Sequence, residues 1–301
     1  MQYVFNVFGF GNDFQQWVQV LNKGCVSSIN HGGWLSEPFD ISCGIRQGCP
    51  FSPLAFVLAV EILAIKIRNS QVAGIKVPSS IPSQYNYLKI KQMADDTSLF
   101  LHNKEDMIVA NDILREFLSF SGLRLNIHKS KALRLGRYGL EQDLPYVVVN
   151  KIKILGIFFQ TDKMAKDVED NWMHRISKVK SLIKDWSRRD LSIQGKVIII
   201  KTFLISQFIY VMQSIGLPTS VLQMLNTIIY KFLWKKKFNN KKAFEKVKRK
   251  VIESSIEEGG LGMFNMVHLQ KCMYVQWVSK LFSATDDDSW AWIPRWYLQD
   301  I

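Results

Sequence analysis

Apolar positions recur at two different periods along this chain, and the change from one to the other divides it. Up to about residue 163, short alternating runs and short helical runs follow one another; from Met164 onward a helical spacing of three and four persists. Phe14, Trp17, Val18 and Leu21 fall on one helical face, and Val4, Phe5 and Phe8 close a preceding helix. Cys25 to Asn30 and Trp34 to Ser42 read as the arms of a β-hairpin turned at His31-Gly-Gly33. Leu54, Phe56, Val57, Val60, Leu63, Ala64 and Ile67 predict a helix with Ser52 as its N-cap and Pro53 as its first residue.

Leu88, Ile90 and Gln92 alternate with Lys89 and Lys91, and Leu99 to Leu101 follow a polar pair, which predicts a second hairpin with Asp95 and Asp96 at its tip. Asn103, with Asp106 three residues on, caps a helix running through Ile108, Ile113, Leu114 and Phe117 to Phe120 and stopped by Gly122. A strand and turn at Leu123 to Lys131, then two strands over Ile152 to Phe159 pivoting on Gly156, complete this part. The order α, β, β, α, β, β, α, β predicts an α+β fold, a mixed β-sheet with helices on one side. Beyond residue 163, Val168, Trp172, Ile176, Val179, Ile183 and Trp186 form one stripe. Ser192 caps a helix carrying Val197, Ile200, Leu204, Phe208 and Val211, and Pro218 precedes another over Val221 to Trp234.

Composition adds charge to this picture. The 301 residues are 48% hydrophobic and 12% aromatic, enough for a buried core, and carry 39 Lys and Arg against 26 Asp and Glu. The net +13 points to an acidic partner, nucleic acid first and an anionic membrane surface second. Ten basic residues and one acid lie between Lys231 and Lys250, among them Lys235, Lys236, Lys237, Lys241 and Lys242. This segment reads either as a solvated linker or, because Phe232, Trp234, Phe238 and Phe244 interleave with the charge, as a surface that tracks phosphates and stacks bases.

Cys25, Cys43, Cys49 and Cys272 form no Cys-x-x-Cys pair and the histidines are scattered, which argues against structural zinc. The amino terminus has neither a basic region nor a cleavage signature, so an intracellular setting, cytoplasmic or nuclear, is expected. It also starts inside an apolar helical pattern without a cap, which suggests a domain that begins upstream. The uncharged stretch Thr202 to Leu217, 16 residues with Ser206, Gln207, Gln213 and Ser214, is too short and polar for a membrane span.

The chemistry centres on Asp95 and Asp96. Adjacent carboxylates repel, and burial would drive one toward neutrality unless a cation offsets the charge. Mg²⁺, bound by one or two carboxylates together with substrate phosphates, is the natural cation for such a pair. Taken alone, the dipeptide reads first as a solvated turn, since Asp is a common turn residue.

Context changes that reading. Gly44-Ile-Arg-Gln-Gly-Cys-Pro-Phe-Ser-Pro53, followed about forty residues later by Met93-Ala-Asp-Asp96, resembles motifs B and C of the reverse transcriptases of non-LTR (LINE-type) retrotransposons. Ser121 to Lys131 is similar to motif D, Ile154-Leu-Gly-Ile157 to the primer grip, Leu191-Ser-Ile-Gln-Gly-Lys-Val197 to the start of the thumb, and Glu258-Gly-Gly-Leu-Gly-Met263 to a segment beyond it.

The resemblance implies a partial palm over 1–163, a helical thumb-like region over 164–230, and a basic segment with a helical carboxy-terminal region over 231–301. It implies an RNA-directed DNA polymerase acting on an RNA template, a DNA primer and deoxynucleoside triphosphates, with Mg²⁺ as cofactor and no membrane. Asp95 would ligate the metal with Asp96 in support. Arg46, Gln47 and Gly48 would face the template base and incoming nucleotide, Gly48 to allow close backbone approach. Lys129 or Lys131 would serve the pyrophosphate, and Leu155 and Gly156 would hold the primer backbone.

Two departures stand out. Met93 replaces the aromatic residue that commonly precedes Ala-Asp-Asp in the family, and the motif A Asp, expected upstream of Gly9-Phe-Gly11, is not among these residues. Asp40 does not substitute for it, because its place directly before motif B makes it part of the hairpin. The expectation is therefore a reverse transcriptase fragment, inactive alone; a non-catalytic nucleic-acid-binding remnant or a pseudogene product is the alternative.

Overall fold

The computed structural model describes residues 1–41, 44, 48–78, 87–136, 145–234, 246–285, 288 and 290–298. Their contacts divide the chain into two compact units, residues 1–126 with 296–301 and residues 127–295, each with its own apolar core. The change of period near residue 163 lies inside the second unit.

In the first unit, α1 (Gln2–Val7) and α2 (Asn12–Asn22) precede β1 (Val26–Ser27), β2 (Asn30–His31), β3 (Trp34–Leu35) and β4 (Phe39–Asp40). The expected hairpin forms: His31 pairs with Trp34 and Val26 with Asp40, and Gly32 and Gly33 make the reversal at φ 59 and 92, which favour glycine. Then come α3 (Ser52–Arg68), the paired β5 (Ile75–Lys76) and β6 (Tyr87–Leu88), the paired β7 (Ile90–Met93) and β8 (Asp96–Leu99), and α4 (Lys104–Ser121). Ile62, Leu63, Ala64 and Ile67 of α3 close on Ala110 and Phe117 of α4, Ile90 of β7 and Val4 of α1.

Local signals are met unevenly. Asn103 caps α4 by accepting from the Asp106 N–H at 2.8 Å, and Gly122 ends it at φ 72. Ser52 is not the cap of α3: a turn closed by its N–H on the Cys49 carbonyl already winds the chain, so the helix is entered one residue early and Ser52 is buried within it. The apolar face of α2 is present but uncovered. No α2 residue is buried, and Trp17 and Leu21 are 68% and 66% exposed. Leu123 to Ile127 are exposed and form no strand, because alternation needs a face to bury; β9 starts only at Lys131.

The second unit opens with β9 (Lys131–Leu133), paired in parallel with β10 (Val147–Val149), and with the antiparallel β11 (Lys151–Ile154) and β12 (Ile157–Gln160). After a 3-10 turn at Ala165–Asp167 come α5 (Asp170–Trp186), α6 (Ile193–Ile199), a π-helical stretch (Ile200–Ile205), α7 (Ser206–Ser214), α8 (Thr219–Leu233), α9 (Arg249–Glu253), α10 (Met266–Ser283) and α11 (Trp292–Tyr297), whose last two residues are counted with the first unit. The predicted stripe on α5 is buried through Trp172, Ile176, Val179 and Ile183, and Ser192 caps α6 by accepting from the Gly195 N–H at 3.1 Å.

The helix running from Ile193 to Ser214 is, at 22 residues, the one described helix long and apolar enough to cross a membrane. It exceeds the uncharged stretch seen in the sequence because Lys196 and Lys201 lie within it. Their ammonium groups donate to the Leu233 carbonyl at 3.2 Å and the Gly262 carbonyl at 3.1 Å. Ile200, Leu204, Ile205, Phe208, Val211 and Met212 are fully buried in the protein core, and a core helix satisfies the same test of length and composition.

The fold is α+β, with long helices and short strands. Among the described residues the strands form six separate two-stranded ribbons rather than one mixed sheet. Strands of two to four residues offer few ladder bonds to a third neighbour, so helices cover the ribbons instead.

Asp106 shows how. Its carboxylate accepts from the N–H groups of Ala73 (2.7 Å), His102 (2.8 Å) and Gly74 (3.2 Å), joining α4 to the chain entering β5. Burial works to raise its pKa, but those backbone donors and the charge of His102 outweigh it and hold the carboxyl below its ordinary value. A depressed folded pKa gives stability that is complete above the ordinary carboxylate range and lost as pH falls through the lowered value. In urea titrations, Asp106→Ala should cost about 2–3 kcal/mol at neutral pH through the buried donors left unpaired. Asp106→Asn should show a flatter dependence of stability on pH below about 4 than the parent chain.

Candidate functional site

The carboxylate pair sits at the tip of a tight hairpin. Met93 pairs with Asp96 as the last rung of the β7–β8 ribbon, so Ala94 and Asp95 alone make the reversal. Ala94 has φ 51, a left-handed conformation that a side chain resists by about 1–3 kcal/mol. The ribbon, anchored through buried Ile90, supplies the constraint that keeps it there. Asp95 and Asp96 are both exposed, so water, not burial, sets their mutual repulsion. Among the described residues neither carboxylate has a hydrogen bond or ion pair, and no group of three or more His, Cys, Asp and Glu is placed to hold a metal ion.

Gly48 lies in the loop leading into α3 with φ 85. Among the described residues nothing stands within 4 Å of where its Cβ would be, and the backbone angle by itself favours glycine. Arg46 and Gln47 lie outside the described residues, as do Lys235, Lys236, Lys237, Lys241 and Lys242.

In the second unit, Lys129 is exposed in the turn at 127–129 ahead of β9, whose first residue is Lys131. Leu155 and Gly156 make the reversal between β11 and β12, at φ 46 and 83, with Ile154 paired to Ile157. Two helical residues hold this hairpin. The Tyr210 hydroxyl on α7 donates to the Leu155 carbonyl, and a Cβ on Gly156 would come within 3.3 Å of the same ring. Asn171 on α5 is fully buried. Its Oδ1 accepts from the Phe158 N–H at 2.7 Å, and its Nδ2 donates to the carbonyls of Phe158 at 2.9 Å and Ala165 at 2.8 Å.

One turn further along α5, Arg175 donates to the Asn171 carbonyl at 2.8 Å. Burial lowers the pKa of its guanidinium, against a smaller upward pull from Tyr210. The sequence reading found Leu155 and Gly156 but not Asn171, Arg175 or Tyr210. Asn171 had a visible signal, a polar residue directly beside Trp172 on a stripe otherwise apolar; Tyr210 and Arg175 flank their stripes and carry none.

Residues 5–159, just over half of the chain, match the family model described as reverse transcriptase (RNA-dependent DNA polymerase). This chain belongs to the reverse transcriptase family. Its relatives place it with the non-LTR retrotransposon enzymes. It is 22% identical over 306 residues to the retrovirus-related Pol polyprotein from type-1 retrotransposable element R2 of Popillia japonica, covering 94% of this chain and 46% of that protein. It is 34% identical over 122 residues to the corresponding polyprotein of type-2 element R2DM from Drosophila melanogaster, covering 40% and 11%. Against the transposon TX1 149 kDa protein of Xenopus laevis it is 22% identical over 237 residues, covering 75% and 17%. The chain thus spans less than half the length of each of these relatives.

Replacing Asn171 leaves the Phe158 backbone groups without partners. Asn171→Ala should destabilise the second unit by about 2–4 kcal/mol in chemical denaturation. Hydrogen exchange at the Phe158 amide should accelerate well beyond that of the core amides of α5.

Proposed function

We propose that these 301 residues form the motif B to E portion of a non-LTR reverse transcriptase, RNA-directed and DNA-synthesising, and that they are inactive without a carboxylate supplied from outside them. The observation that carries this is the hairpin at Met93 to Asp96. It holds two exposed, unengaged carboxylates at a strained reversal, within a stretch that matches the reverse transcriptase model.

Reverse transcriptases generally use divalent metal ions, and this donor set fits Mg²⁺, which takes one or two carboxylates and fills its other positions with substrate phosphate and water. Asp95 is the direct ligand in this reading and Asp96 supports it. The metal, when bound, lowers the pKa of the primer hydroxyl and neutralises the departing pyrophosphate. Arg46, Gln47 and Gly48 place template base and nucleotide, Lys129 faces the pyrophosphate, and the Leu155–Gly156 turn holds the primer backbone. Residues 1–163 serve as palm and 164–230 as thumb, with the chain acting in the cytoplasm or nucleus on an RNA template and DNA primer.

Asp95 and Asp96 would hold the metal with an incomplete set of carboxylates, which would lower the rate by several powers of ten. The uncovered apolar face of α2 supports the same reading, since an exposed apolar helix face marks a surface that packs against more protein. A second reading, a nucleic-acid-binding chain without chemistry, rests on the +9 carried by the segment from Lys231 to Lys250.

Primer extension on an RNA template with Mg²⁺ tests the first reading, and binding to the hybrid tests the second. The 301 residues alone should incorporate no nucleotide, while binding to the same hybrid should fall steeply with salt and weaken at least about tenfold when Lys235, Lys236 and Lys237 become Gln. Extension by this chain alone that disappears in Asp95→Asn would overturn the claim of inactivity and leave the family assignment intact.

A further inference from the structure

Cations in the second unit are matched in several different ways. Lys151 pairs with Asp170, Lys196 and Lys201 donate to carbonyls, and Arg189 stacks on Trp186 at 4.6 Å. Arg175 is half-buried yet faces no carboxylate among the described residues; its one bond goes to the backbone of its own helix at Asn171. A guanidinium carries five donors in a planar fork, and withdrawing it from water without an anion is unfavourable.

The position narrows the ligand. Arg175 lies on the α5 face that carries Asn171, whose side chain is bonded to both backbone groups of Phe158, two residues past the Leu155–Gly156 turn. Tyr210, which donates to the turn carbonyl of Leu155, is the ionisable neighbour that acts on Arg175. Across the ribbon, Lys153 pairs with Phe158 and holds its ammonium 5.4 Å from that ring, adding a second cation to the hairpin.

We propose that Arg175 binds a phosphodiester oxygen of the nucleic-acid strand held at the Leu155–Gly156 turn, with the Asn171 carbonyl holding the guanidinium while the Asn171 side chain and Tyr210 hold the hairpin. This rests on the reading of that turn as a nucleic-acid contact. The fork matches two phosphate oxygens, whereas a Lys at the same place would offer only a point charge. The turn supplies shape and Arg175 supplies charge.

Fluorescence anisotropy with a labelled RNA–DNA primer–template hybrid, titrated from about 50 to 300 mM salt, tests it. Arg175→Gln should weaken binding roughly tenfold and reduce the slope of log affinity against log salt by about 0.9, the value for one lost phosphate contact. Arg175→Lys should keep the slope while losing part of the affinity. A single methylphosphonate at the contacted linkage should weaken the parent chain and leave Arg175→Gln unaffected, a coupling that a purely structural role would not produce.

An unchanged slope in a folded Arg175→Gln overturns the proposal and leaves the function reading standing. Should Arg175→Gln fail to fold, the parent chain still decides it: a methylphosphonate scan of the parent chain with no sensitive linkage overturns the proposal. No binding of the hybrid by the parent chain overturns both readings together.

Discussion

A two-stranded ribbon leaves its outer backbone groups unpaired, and in a protein interior each such group needs a partner. The structure meets this need with buried polar side chains projecting from helices. Asp106 reaches from α4 to the Ala73 and Gly74 N–H groups ahead of β5 and to the His102 N–H ahead of its own helix, and Asn171 reaches from α5 to both backbone groups of Phe158 in β12. Each of these contacts acts as an additional strand would, saturating an edge and fixing how a helix lies against a ribbon. The β11–β12 hairpin depends on this kind of anchoring and the β7–β8 hairpin on the buried Ile90, because ribbons so short are not stable by themselves.

Precise reversals are the second shared feature. Both hairpins turn in two residues, and both place a residue other than glycine in the left-handed region, Ala94 beside the carboxylates and Leu155 between β11 and β12. Such conformations persist only where neighbours over-determine them. At the β11–β12 turn the neighbours are visible, namely Tyr210 on the turn and Asn171 on the following strand. At the carboxylates the ribbon register and the buried Ile90 do the same work from below.

Sequence pattern revealed helices, caps and hairpins wherever one residue's chemistry decides local geometry. Asn103, Gly122 and Ser192 behave as their side chains dictate, and the stripe on α5 is buried as its spacing requires. It failed where burial depends on something outside the segment. Leu123 to Ile127 alternate like a strand but meet no covering face, and the ribbons do not merge into one sheet among the described residues. The family was legible because its glycine-rich loop and paired Asp are rare in that order. Asn171 was legible only as a polar break in an apolar stripe, and Tyr210 was not legible at all, because its hydroxyl acts 55 residues away at Leu155 and leaves no local periodicity.

The π-helical stretch between α6 and α7 bears on how this helix is allowed to vary. Six residues wound more loosely shift everything after them by part of a turn relative to an uninterrupted α-helix, in which each residue advances about 100°. Lys196 and Lys201 engage one side of the core before and within that stretch, and Tyr210 meets the hairpin after it. Register here is information. Losing one residue between Ile200 and Ile205 would leave composition and hydropathy nearly unchanged while swinging the Tyr210 hydroxyl away from its carbonyl, so this helix is constrained in length even where its individual side chains are interchangeable.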